Sequence, residues 1–263
     1  MVFDFDGTIL NANGEITEKL VNKLIDLQQQ GYKVVLCSGR SLPGIMWVAD
    51  KINLAQYHGY IVAYNGSQVY RYQNQVLEQL YQGFFTKEQV TNIAKLVVDE
   101  VQSLATYDEN YMGVSKKIPI LERSSKTRKV ELNYNYIKET PNIVLFDTAE
   151  VVAQKYEILK EKVLNYDKTL NFFSSIPHLI EITPQNSSKG HGLKIIAQKE
   201  NSDYNEFICF GDAENDLSMF EFCKYAVAME NAMEQVKVLA THHTKTNNED
   251  VVLYFLETKF KNI

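Results

Sequence analysis

Residues 2–8 read Val2-Phe3-Asp4-Phe5-Asp6-Gly7-Thr8, an apolar start that runs through two carboxylates one residue apart into a glycine turn. If Val2 to Phe5 form a short buried strand, Asp4 and Asp6 point to one side of it while Phe3 and Phe5 point to the other. Gly7 then lets the chain turn sharply without a Cβ clash. Two carboxylates held that close at the carboxyl end of a strand repel one another unless a cation or a shared proton intervenes. Mg2+, a hard ion that prefers carboxylates, water and phosphate oxygens, is the cation such a pair suits. The plain alternative is two solvated acids at a strand end. That is common for one aspartate, whereas this four-position run is expected by chance on the order of once in a thousand chains of this length.

Working outward, Ile16 to Gln30 carries Leu20, Val21, Leu24, Ile25 and Leu27 at helical spacing, with Thr17 placed to cap the helix and Gly31 to end it. Lys33 to Cys37 reads as a buried strand, and strand, helix, strand with short turns is a right-handed parallel crossover. A helix follows over about Pro43 to Ile52, then a strand from Tyr60 to Tyr70 interrupted by Asn65-Gly66, a turn dipeptide. The alternation resumes late in the chain. Leu179 to Thr183, Phe207 to Phe210 and Tyr225 to Met229 read as strands, Lys189 to Lys199 and Asp216 to Phe222 as helices. Asn231 with Glu234 reads as a capping box for another helix. The two ends of the chain are therefore expected to build one doubly wound, mostly parallel α/β sheet. The middle differs: Thr86 and Gln89 box a helix from Thr86 to Glu100, Val130 to Tyr134 alternates strictly, and a strand over Asn142 to Thr148 precedes a helix over Val151 to Leu164. That texture predicts an inserted α+β domain over residues 83–179, with residues 1–82 and 180–263 forming the core.

The chain has 263 residues, 45% of them hydrophobic, and a net charge of −6, so it can bury a sizeable core and lacks the basic face usual for nucleic-acid binding. The basic stretch Arg123 to Lys129 reads as a solvated face. No apolar run reaches the length of a membrane span, and the start is acidic rather than signal-like. Three cysteines, Cys37, Cys209 and Cys223, leave an odd count without metal-ligand spacing, which suits reduced thiols in a cytosol. The expectation is a soluble cytoplasmic protein whose partner is a small molecule, with neither nucleic acid nor membrane.

In open parallel sheets ligands bind at the carboxyl ends of the strands. Ser38-Gly39-Arg40 follows one such end and Gly211-Asp212 another, while Ser188-Lys189-Gly190 opens a helix. Alone, a serine after a strand is a turn, and Asp212 with Asp216 are helix-start acids favoured by the dipole. Lys189 is harder to dismiss, because the dipole disfavours a cation at a helix start unless an anion is near. Four carboxylates, one lysine and one hydroxyl converging on one sheet edge fit Mg2+ with a phosphoryl group.

These residues resemble the haloacid dehalogenase superfamily, phosphatases of the Cof type with a C2-type cap. The marks are Asp4-Phe5-Asp6-Gly7-Thr8-Ile9-Leu10, Cys37-Ser38-Gly39-Arg40, Ser188-Lys189-Gly190 and Gly211-Asp212-Ala213-Glu214-Asn215-Asp216, in that order, with Asn65-Gly66 and Ala226 to Ala232 as further traits. The likeness implies that Asp4 is the nucleophile that becomes an aspartyl phosphate, and that Asp6 is the acid and base. It implies Mg2+ held by Asp4, the Asp6 carbonyl and Asp212, with Asp216 in support. Ser38, Gly39, Lys189 and Asn215 would bind the phosphoryl group, Arg40 and Asn65 the rest of the substrate. The inserted domain would be a cap that sets specificity, and Tyr107, Tyr111, Tyr134 and Tyr136 are more readily packing than ring platforms. Ser38 stands where threonine is commoner, and Glu230 where glycine is usual. The implied activity is hydrolysis of small phosphomonoesters, sugar phosphates foremost. A phosphosugar mutase would also keep both aspartates but release no net phosphate, and a non-catalytic phosphometabolite-binding protein would bind without turnover.

Overall fold

The structure, a computed structural model, describes residues 1–108, 111–121, 129–133, 139–247 and 251–259. In chain order its strands are β1 Val2–Phe3, β2 Val35–Cys37, β3 Gly59–Ala63, β4 Gln68–Gln73, β5 Val76–Gln82, β6 Phe85–Thr86, β7 Ser103–Tyr107 and β8 Tyr111–Val114. They continue as β9 Lys129–Glu131, β10 Glu139–Thr140, β11 Ile143–Phe146, β12 Asn171–Phe173, β13 Leu179–Thr183, β14 Ile208–Gly211, β15 Tyr225–Ala228 and β16 His242–His243. The chain divides into two units, Met1–Tyr81 with Ser188–Ile263, and Gln82–Ser187.

The first unit is built on an eight-stranded sheet in the order β16-β15-β14-β1-β2-β3-β4-β5. β1 lies parallel between β14 and β2, with Val2 opposite Cys209 and Val35. Parallel strands buried on both faces need near-continuous apolar sequence, and Val2, Phe3, Leu36, Cys37, Ile61, Val62, Cys209, Phe210 and Val227 are all fully buried. The three cysteines are free thiols buried in this unit. Helix Glu18–Gln29 forms as its spacing predicts: Thr17 Oγ1 accepts from the Leu20 N–H, and Leu20, Val21, Leu24 and Leu27 are its buried stripe. The predicted strand through Asn65-Gly66 is two strands, β3 and β4, paired antiparallel across a turn at Tyr64–Gly66.

The second unit holds a six-stranded sheet in the order β12-β13-β11-β7-β8-β9 and a two-stranded one, β10-β6. The capping box at Thr86 and Gln89 is present. Helices Lys87–Val97 and Ala149–Tyr166 contribute Val90, Ile93, Ala94, Val97, Leu159 and Val163 to one core with Leu104, Ile143, Leu145, Ile180 and Ile182. Strict alternation puts Glu181 on the other face of β13, where its carboxylate accepts from Ser175 Oγ at 2.5 Å and Asn142 Nδ2 at 3.1 Å.

One expectation needs correction. Leu179–Thr183, placed from sequence in the core, is β13 and pairs antiparallel with β11 and β12 in the second sheet, so the inserted unit runs to Ser187 rather than 179. An apolar run announces a strand but not which sheet it joins. Tyr134, Tyr136 and the basic residues 123–128 lie outside the described residues. No helix among the described residues is long and apolar enough to cross a membrane.

Candidate active site

Strand order in the first unit reverses on either side of β1, since the chain moves outward through β2 and β3 on one side and later through β14 and β15 on the other. A crevice opens at the carboxyl ends of the strands at such a switch point. Asp4 emerges from β1 there, its N–H still donating to the Phe210 carbonyl at 3.1 Å. Asp212 emerges from β14 beside it. Gly7, at φ +83°, passes so close that a Cβ would lie 2.2 Å from Asp212 Oδ2, so both backbone angle and space demand glycine. Asp212 Oδ1 accepts from the Thr8 hydroxyl at 3.0 Å, and Oδ2 from Asn231 Nδ2 at 3.2 Å. The same Asn231 amide donates to the Gly7 carbonyl at 3.0 Å.

Lys189 opens helix Lys189–Glu200, whose N-cap Ser188 accepts from the His191 N–H. Its side chain is fully buried, and Nζ donates to Asp4 Oδ1 at 2.5 Å and to Asp216 Oδ1 at 2.6 Å. The anions that the dipole argument requires are therefore present. Burial opposes the charge on Lys189, but Asp216 and Asp4 outweigh it and hold the pKa well above the ordinary lysine value. Asp216 Oδ2 accepts from the N–H groups of Asp212 at 2.8 Å and Ala213 at 3.0 Å. With both oxygens engaged, Asp216 shapes the turn after β14 and steadies Lys189.

Asp4, Asp212 and Asp216 each offer an oxygen within 4.8 Å of the others. Burial first, then repulsion from Asp216 and Asp6, outweighs Lys189 and pushes the Asp4 carboxyl up to about 7. Burial first, then repulsion from Asp4 and Asp216, pushes Asp212 up to about 8. An all-oxygen donor set in which Asp4 and Asp212 resist ionising beside one another fits a hard divalent cation, whose charge would relieve that repulsion.

The fourth carboxylate does not join them. Both Asp6 oxygens are taken by Arg40, from Nε at 2.8 Å and Nη2 at 2.7 Å, with the guanidinium 5.8 Å from the Phe5 ring centroid. The expected convergence of four carboxylates is thus a cluster of three, with Asp6 half-exposed beside it on an arginine fork. The pairing joins two loops that are adjacent only once β1 and β2 pair.

Ser38 is buried after β2, its Oγ accepting from the Arg40 N–H at 3.1 Å across the bend at Gly39. Asn215 donates through Nδ2 to Asn65 Oδ1 at 2.9 Å. Asn65, expected to touch substrate, is 0% exposed and stands behind Asn215, which is 7% exposed. The sequence alone gives Thr8 no role and suggests Asn231 as a helix cap, whereas both side chains serve Asp212. The helix after β15 is Glu234–Leu239, with Met233 at its N-cap and no side-chain cap, so Asn231 is not a capping residue. The usable signal was its place just beyond a parallel strand, like Asp4, Ser38 and Asp212. A cavity of about 490 Å³ opens at the other ends of the strands, lined by Lys33, Tyr60, Glu200 and Tyr225 among others, and contains none of these groups.

A family model for haloacid dehalogenase-like hydrolases matches residues 1–256. YxeH of Bacillus subtilis is 29% identical to this chain over 97% of its length and 95% of the relative's. The 5-amino-6-(5-phospho-D-ribitylamino)uracil phosphatase YwtE of the same organism is 26% identical over 98% and 96%. The crystal structure of TM0651 from Thermotoga maritima superposes with a TM-score of 0.76 at 32% identity, covering 97% of this chain and 95% of that one.

Proposed function

Because the chain belongs to the haloacid dehalogenase-like hydrolases and is a phosphatase acting on small phosphomonoesters, we propose that sugar phosphates are its substrates and that Asp4 takes the phosphoryl group from them. The observation that carries this reading is Asp4 itself, a buried carboxylate at the sheet's switch point, held by Lys189 and beside two further aspartates. YwtE, whose name states a phosphorylated ribityl compound as its substrate, supports a polyhydroxylated leaving group.

In the first step an Asp4 oxygen attacks phosphorus and the bond from phosphorus to the ester oxygen breaks. Asp6 gives its proton to that leaving oxygen. In the second, water attacks the phosphorus of the aspartyl phosphate, Asp6 accepts the water's proton, and phosphate leaves with Asp4 restored. Lys189 offsets the repulsion between a carboxylate and a phosphate dianion. Ser38, the Gly39 main chain and Asn215 hydrogen-bond the phosphoryl oxygens, and Arg40 keeps Asp6 in place. Asp4 and Asp212, with the Asp6 carbonyl, would hold Mg2+, which supplies positive charge to the phosphoryl group in flight. The unit Gln82–Ser187 carries leaving-group selection. Three buried reduced thiols favour a cytosolic location.

The test is phosphate release from sugar phosphates, nucleotides, pyridoxal phosphate and an aryl phosphate, with Mg2+ or with chelator. Mg2+-dependent release led by sugar phosphates is expected. No release from any ester by folded protein would overturn the reading in favour of a mutase or a binding protein.

A further inference from the structure

Tyr64, Asn65 and Gly66 follow β3 in succession with φ of 48°, 54° and 99°. A non-glycine residue in the left-handed region costs roughly 1–2 kcal/mol and persists only where its surroundings over-determine it. Here they do. The Tyr64 N–H donates to the Arg40 carbonyl at 2.9 Å and the Asn65 N–H to the Ser38 carbonyl at 3.0 Å. Gly66 packs so tightly on Ser188 that a Cβ would lie 2.1 Å from its carbonyl oxygen. One strained turn thus touches the Ser38–Arg40 loop and the residue that caps the Lys189 helix.

The Asn65 side chain adds a third contact. It is fully buried, and its Oδ1 accepts from Asn215 Nδ2 at 2.9 Å. Asn215 Oδ1, also buried, has no hydrogen-bond partner, so the bond to Asn65 is what sets the plane of that amide. An amide nitrogen carries two hydrogens. With one committed to Asn65, the other remains for a phosphoryl oxygen. Asparagine suits this position twice, since it tolerates left-handed backbone better than most residues and brings an amide oxygen.

We infer that Asn65 is a positioning residue for phosphoryl transfer: from behind the site its side chain orients Asn215 toward the phosphoryl group without itself touching substrate. The inference rests on the phosphatase reading above and adds a role that the buried Asn65 could not fill as a substrate contact.

A double-mutant cycle tests it, read as kcat/KM for a hydrolysed sugar phosphate and as the Kd of inorganic phosphate measured by calorimetry with Mg2+. Asn65→Gly keeps the left-handed backbone and removes only the side chain. A misaimed group at a reacting centre costs about 10²-fold. Asn65→Gly in the otherwise wild-type protein should therefore lose roughly 10- to 100-fold in kcat/KM and weaken phosphate binding. In an Asn215→Ala background the same change should cost less than about threefold, since there is no amide left to aim. Losses that multiply in the double variant, or an Asn65→Gly protein with wild-type constants, would overturn the inference. Should Asn65→Gly fail to fold, Asn65→Asp, which tolerates the same backbone and keeps an oxygen for the Asn215 amide, takes its place with the opposite expectation: kcat/KM within about threefold of wild type, whereas a larger loss that persists in the Asn215→Ala background would overturn the inference. Absence of turnover in the wild type would count against the phosphatase reading, while the phosphate-binding cycle would still decide the role of Asn65.

Discussion

Lys189 Nζ stands 2.5 Å from Asp4 Oδ1, with the lysine side chain wholly out of solvent and the aspartate side chain 7% exposed. Removing one partner of such a pair leaves the other charge buried and unpaired, which typically costs 3–5 kcal/mol. Lys189→Met should therefore lower unfolding free energy by about 3 kcal/mol at pH 7 as well as abolish turnover. Denaturant titration checks it. A Lys189→Met protein as stable as wild type would mean that the pair does not hold this edge of the sheet together.

The same burial gives the metal-free protein a definite pH dependence. In chelator, folded Asp4 and Asp212 keep their protons to about 7 and about 8, whereas in the unfolded chain aspartates ionise near about 4. Between those values the native state binds more protons than the unfolded state, so stability falls as pH rises from about 4 and levels off above about 8. A cation needs both carboxylates ionised, so the rise in Tm on adding Mg2+ should be larger at pH 8 than at pH 6. Thermal denaturation at the two values, with Mg2+ and with chelator, reads this directly. An equal rise at both would count against Asp4 and Asp212 as the ligands.

Asn231 donates to Asp212 Oδ2 and to the Gly7 carbonyl, while its own Oδ1 accepts from the Asn247 N–H at 3.3 Å. Groups that orient a metal ligand typically contribute 10- to 100-fold to metal affinity. Asn231→Ala should raise the Mg2+ concentration for half-maximal activity by roughly that factor, with little change in Tm because the residue is exposed. Unchanged Mg2+ dependence would show that Asp212 holds its place without help.

Arg40 and Asp6 make a two-point pair whose side chains are 34% and 49% exposed. A pair that open to solvent contributes only about 0–1 kcal/mol to stability. Arg40→Ala should therefore leave Tm nearly unchanged while kcat falls about tenfold or more as Asp6 loses its orientation. A large fall in Tm with unchanged kcat would make the pair structural instead.

What was legible in the sequence follows from locality. The run from Asp4 to Thr8, the lysine misplaced at a helix start and the strand ends before Ser38 and Asp212 are patterns within a few residues, and the sheet edge that gathers them follows from the parallel crossovers. Relations between distant segments were not legible. Leu179–Thr183 has the pattern of a strand in either sheet. The Asn231 and Glu234 spacing matches a helix cap, although the amide serves Asp212 from 19 residues away. The Arg40 fork on Asp6 spans 34 residues and the Asn65 bond to Asn215 spans 150, so neither exists until β1, β2, β3 and β14 lie side by side.

The central claim is that Asp4 takes the phosphoryl group. Acid quenching of wild type and Asp4→Asn mixed with a phosphate-labelled substrate and Mg2+, followed by peptide mass spectrometry, tests it most directly. Label on the peptide that contains Asp4 in the wild type, with both label and phosphate release lost in Asp4→Asn, is the predicted result. Phosphate release that survives in Asp4→Asn, or label carried by another residue, would contradict it.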